Sequence, residues 1–290
     1  MIRLDAATVL LQWATGGLLF LWVTTRRRTV GVGYGWLLRG SYGALAVGAV
    51  VAGIALEPVP VRDVAAALVV VATGVALVVS IVRRRAGVSG HRAEHDRRTA
   101  RVAAMTGIER STTATASTDD DDDRRPEFPP QLDLVAPVIG AIGLVAAAID
   151  AGGDDVAVAL LRTLVGAAFL GAVTDAMLLG HWYLVQPGLA RSSLLELVRW
   201  TAVIWPFEVV ALLLPTGMLS VISGSIDDGY GGTLGWTWAT CAVTTIALCA
   251  VTRAALKERA YSAVMAATGL LYLAILTAFG TDLIARAILA

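Results

Sequence analysis

Charge is scarce in this chain of 290 residues. Only 16% of it is charged, against about 25% in soluble domains. Lysine is nearly missing, with Lys257 alone among 23 basic side chains. Basic and acidic residues balance at 23 each, so net charge attracts neither nucleic acid nor an acidic partner. The two cysteines, Cys241 and Cys249, are separated by about 12 Å along a helix axis, too far to bridge. They are expected to be small packing residues. Of the three histidines, His91, His95 and His181, only His181 lies in an apolar segment. That count argues against a haem held by two intramembrane histidines, and leaves single-histidine ligation open. The "HRAEH" stretch from His91 to His95 has the outline of a zinc-protease motif. It sits among arginines with no third ligand, so no metal is expected there. No Walker loop, dinucleotide fingerprint or nucleophile elbow is present.

What is abundant is apolar sequence. Hydrophobic residues make up 57%, and the mean hydropathy is +0.71. Several runs approach or exceed the roughly 20 residues that cross a bilayer core. The pattern predicts an all-α, polytopic integral membrane protein with about eight transmembrane helices at 7–25, 35–56, 63–82, 134–151, 156–186, 196–222, 233–252 and 261–288. The short alternating segments of a membrane barrel do not occur. With the N-terminus outside, only Arg3, Arg62, Arg162 and Arg286 fall on the outer side, and every other Lys and Arg falls inside. The positive-inside rule therefore places both termini outside. Arginine in preference to lysine, with much Ala, Val and Gly, suggests the cytoplasmic membrane of a prokaryote.

Three regions follow. Residues 1–82 hold the first three helices, and 134–290 hold the last five. Between them, 83–133 is expected to form a cytoplasmic loop, largely disordered. It passes from a basic block through Ser/Thr to five aspartates, a composition that cannot bury a core. Its partners would be lipid headgroups or a soluble or membrane protein. The ends also hint at duplication: at an offset of 160, Leu18, Leu19 and Trp22 match Leu178, Leu179 and Trp182, and Leu37 and Arg39 match Leu197 and Arg199. That offset suggests two four-helix halves in parallel repeat.

The chemistry is expected at ionisable groups inside the apolar runs, because a charge at bilayer depth is costly without a role. Asp175 and Glu208 are each placed about eight residues deep from the inner boundary, on neighbouring antiparallel helices. Two acids so placed could share a proton or serve as the base for a quinone headgroup. Alternatively, each is protonated and hydrogen-bonded to a neighbouring Thr or Trp. Pro206 is expected to weaken the helix near Glu208. His181 lies at the inner interface with Trp182 and Tyr183, as an aromatic belt or as a proton entry for the two acids. Asp282 and Arg286 are expected to pair as a structural element, as are Glu196 and Arg199. Arg162 is expected to extend to headgroups, and Trp236 and Trp238 to mark an outer aromatic belt. Three function classes remain: a proton- or quinone-handling membrane subunit of an electron-transfer complex, a secondary transporter, and a non-catalytic assembly or scaffold protein.

Overall fold

The computed structural model describes residues 5–83, 128–186, 189–258 and 260–289. Among them every regular element is helical: α1 (Ala6–Thr25), α2 (Val32–Ala55), α3 (Pro60–Arg83), α4 (Val135–Gly152), α5 (Val156–Val185), α6 (Ser192–Leu213), α7 (Gly217–Ile222), α8 (Thr233–Ala255) and α9 (Tyr261–Ile288). A 3₁₀ turn, Pro130–Leu134, leads into α4. Local chemistry fixes several ends. Asp5 accepts from the amides of Ala7 (3.0 Å) and Thr8 (3.1 Å) and so caps α1. Pro60 opens α3 at a position where its missing N–H costs nothing.

Six stretches are long and apolar enough to cross a membrane. Five are the single helices α1, α2, α3, α8 and α9; the sixth, Pro130–Val185, holds both α4 and α5. Helix α6 is not among them, because Glu196, Arg199 and Glu208 all fall in its apolar stretch. The sixth predicted segment, 196–222, is not one helix. Helix α6 starts earlier, at Ser192, and ends at Leu213, where Pro215 restricts the residue before it. The peptide between Leu214 and Pro215 is cis, and α7 follows as a short separate piece. Pro206 does not interrupt α6, which continues through it.

The helices pack in two rings with the same order. In the first, α1 touches α2, α2 touches α3, α3 touches α4, and α4 returns to α1; in the second, α5, α6, α8 and α9 close in the same way. The rings meet where α1 and α4 lie against α5. Gly16 and Gly171 make the junction of α1 with α5: a Cβ on Gly16 would stand 1.8 Å from the Ala167 carbonyl oxygen, and one on Gly171 would stand 2.1 Å from the Gly16 backbone. Two backbones in direct contact tolerate only glycine, the small-residue packing typical of helices in lipid. The outer faces stay apolar. Val51, Ile54, Val71, Val82 and Leu276 are all exposed, on a scale that a water-soluble monomer rarely shows.

The connection before α8 is held by one side chain. Asp228 accepts from the amides of Gly232 (2.8 Å), Tyr230 (2.9 Å) and Leu234 (2.9 Å). These amides, Gly232 foremost, hold its carboxyl below the usual carboxylate range. A folded-state pKa depressed in this way contributes stability above the unfolded value of about 3.9, and that stability is lost as pH falls through the folded value. Acidification below about pH 4 is expected to loosen the start of α8. Fluorescence of the exposed Trp236 reads the step, which Asp228→Asn should abolish.

Candidate functional site

The interior carries two separate acid clusters. The first surrounds Asp175 on α5, which is fully buried. The Tyr42 hydroxyl on α2 donates to Asp175 Oδ1, and the Tyr34 hydroxyl donates to the Asp175 carbonyl at 3.4 Å. Oδ2 has no hydrogen-bond partner among the described residues. Tyr42 reaches Asp175 past α1, and it can do so because of Gly17: a Cβ there would fall 2.1 Å from the Tyr42 ring. Two adjacent residues, Gly16 and Gly17, thus bring α1 onto α5 and open the passage from α2 to Asp175. Trp13 adds a donor beside it, from Nε1 to Thr174 Oγ1 at 3.0 Å.

The second cluster surrounds Glu208 on α6, also fully buried. Neither of its carboxyl oxygens has a hydrogen-bond partner among the described residues. Its charged neighbours are Asp282 and Arg286 on α9 and Arg162 on α5. Arg286 Nε donates to Asp282 Oδ2 at 2.8 Å, with both side chains about 1% exposed. A further Arg286 nitrogen donates to Gln12 Oε1 on α1. Arg162 donates from Nε to the Ala211 carbonyl at 3.0 Å and from Nη2 to that of Leu214. It ties down the carbonyl groups that the end of α6 leaves without helical donors. Two arginines and two carboxylates therefore balance when Glu208 is ionised, and a proton on Glu208 leaves the cluster formally at +1.

This second cluster lies towards the predicted outer end. A cavity of about 20 Å³ lined by Asp5, Thr8, Arg62, Asp150, Thr163 and Arg286 adjoins it, which is room for one water. In its lining Arg62 is a buried hub: it donates to Asp5, to Asp63 Oδ1 (2.9 Å) and to the Glu57 carbonyl.

The structure does not bring Asp175 and Glu208 together. The Arg162 contacts set α5 residues near 162 level with Ala211 of α6, so Glu208 lies roughly level with Gly166. Asp175 is then about 13 Å further along the axis. The expectation of equal depth failed because α6 was entered at Trp200. The helix runs from Ser192 to Leu213, so Glu208 lies near its far end. His181 joins neither acid: it is exposed, and its Nδ1 faces the Tyr272 hydroxyl at 3.2 Å.

Asp282 and Arg286 do pair, and both are buried. Arg162 is about 4% exposed and serves backbone carbonyl groups rather than headgroups. Glu196 pairs with Arg26 (2.6 Å) and Arg27 (3.1 Å), not with Arg199. Trp236 is exposed as a belt residue would be, whereas Trp238 is buried. Cys241 and Cys249 are both free. The "HRAEH" stretch and most of 83–133 lie outside the described residues.

Three contributors escaped the sequence reading: Gln12, the pair Tyr34 and Tyr42, and the ion pair of Arg39 with Asp133. Arg39 Nε and Nη2 donate to Asp133 Oδ1 (2.8 Å) and Oδ2 (2.7 Å), and both side chains are about 1% exposed. A lone amide in the first span and two hydroxyls eight residues apart in the second were the available signals. Compared with known proteins, the chain matches no family model, no curated protein and no solved structure.

Proposed function

We propose that this protein crosses a prokaryotic cytoplasmic membrane with eight helices in two related four-helix halves, and that its buried acids handle protons. The observation that carries the proton reading is Glu208. It is a fully buried carboxyl group with both oxygens unpartnered among the described residues, set among two arginines and a second acid, Asp282. A water-sized cavity reaches the same cluster from the predicted outer end. Such a group can gain or lose a proton at the cost of one charge in a nearly balanced cluster, which is the working part of a relay. The cavity suits water and protons better than a solute, so a transporter reading gains nothing from it.

Asp175 would be the second proton-carrying station, nearer the predicted inner end, with Tyr42 and Tyr34 as hydroxyl partners. Of the two forms of the sequence-based reading, the relay gains more support than the quinone base. Asp175 is enclosed, and Tyr42 already occupies one of its oxygens. A relay of this kind suits a membrane subunit of an electron-transfer complex, whose redox step takes up or releases protons. The repeat draws support from the matching ring order. At the 160-residue offset, the end of α1 maps onto residue 185, where α5 ends, and the start of α2 maps onto 192, where α6 begins.

Proteoliposomes loaded with a pH-sensitive dye test the proposal under an imposed pH gradient. Proton flux through the wild type should exceed that through Glu208→Gln by about a hundredfold or more, in the range of a missing general acid–base group. Asp175→Asn should also lower it. Flux that is unaffected in the double variant contradicts the relay and leaves the scaffold reading.

A further inference from the structure

At the other end of the molecule, a cavity of about 650 Å³ opens beside α6 and α8 and the end of α1. Four cations line it, Arg27, Arg199, Arg253 and Lys257, against one carboxylate, Glu196. Glu196 is already engaged by Arg26 and Arg27. Arg199, Arg253 and Lys257 are exposed, and their side chains make no hydrogen bond or ion pair among the described residues. The start of α6 at Ser192 also faces the cavity, adding the partial positive charge of a helix N-terminus. The rest of the lining is apolar. Leu195, Trp200 and Val203 continue the groove along α6. Trp200 is half-exposed and braced edge-on by Phe20 at 6.2 Å, the placement of a residue at the headgroup level.

We propose that this groove binds the headgroup of an anionic phospholipid, with Arg199, Arg253 and Lys257 around its phosphate and the acyl chains along Trp200 and Val203. Three free cations give the charge, and the apolar extension favours a lipid over a soluble phosphate. Basic pockets between helices at the cytoplasmic side are the setting for such recognition. The site is independent of the proton chemistry above.

The experiment is native mass spectrometry of the detergent-solubilised protein titrated with phosphatidylglycerol or phosphatidylcholine. Phosphatidylglycerol should be retained in preference. The triple variant Arg199→Gln, Arg253→Gln, Lys257→Gln should lose affinity for it on the order of a hundredfold, about fivefold per cation, with phosphatidylcholine binding unchanged. If the triple variant does not fold, Arg253→Gln alone should still show the fivefold loss. Equal retention of the two lipids, or phosphatidylglycerol retention unchanged in a folded variant, overturns the proposal. Displacement of the lipid by equimolar inorganic phosphate also overturns it, in favour of a soluble anion. So does phosphatidylglycerol binding that appears only when Asp119 to Asp123 are all changed to Asn, because the groove then belongs to the protein's own acidic run.

Discussion

Asp133→Ala is expected to destabilise the protein by about 3–5 kcal/mol, the usual result of leaving one member of a buried ion pair without its partner. The geometry is bidentate, from Nε and Nη2 of Arg39 to the two oxygens of Asp133. Phe128 closes one side of the guanidinium, with its ring centroid 4.5 Å from Arg39 Cζ. Thr25 Oγ1 donates to Asp133 Oδ2 at 3.1 Å from the end of α1. Asp133 therefore fastens the entry of α4 to both α1 and α2. Alanine would leave the Arg39 charge about 1% exposed with no counter-ion. The double variant Arg39→Met, Asp133→Leu should behave differently, since apolar replacement of both partners is often neutral or stabilising. Chemical unfolding in detergent compares them. Equal losses in the single and double variants would mean that the pair is not what holds this corner.

Gly16→Leu should also have a large effect. The added Cβ would fall 1.8 Å from a backbone oxygen of α5, and a backbone cannot rotate away as a side chain can. Relief requires α1 and α5 to separate, and these two helices join the rings. The cost should reach or exceed the top of the roughly 1–3 kcal/mol range for overpacked cores. Because Gly17 is next in sequence, the same movement would pull Tyr42 from Asp175. Gly74→Leu provides the control: on α3 nothing lies within 4 Å of a Cβ there, so stability should change by less than about 0.5 kcal/mol. Thermal unfolding followed by size-exclusion chromatography separates the two. Similar melting of both variants would contradict backbone contact between α1 and α5.

The helices were legible because hydropathy acts over runs of twenty residues, and such runs leave little choice of structure. Helix α6 shows the limit. Three charged side chains and two prolines weaken its apolar signal, and its ends depended on Pro215 and on an early start at Ser192. Counting depth from a misplaced end then set Glu208 level with Asp175. The polar partners were less legible still. Arg162 was assigned a headgroup and Glu196 a neighbour close in sequence, whereas their partners, like the Asp133 partner of Arg39, come from distant parts of the chain. Sequence spacing identifies i,i+4 pairs such as Asp282 with Arg286, but it does not say which helix lies across the interface. Gly16 and Gly17 decide that, and among 29 glycines nothing in the sequence distinguished them.

The central claim is that Glu208 exchanges a proton inside the bundle. Infrared difference spectroscopy of the protein in lipid nanodiscs, taken between acidic and alkaline pH, reads the carbonyl stretch of a protonated carboxyl group directly. The account predicts a pH-dependent carboxyl band that disappears in Glu208→Gln and survives in Asp228→Asn. A spectrum in which Glu208→Gln removes no such band would contradict it.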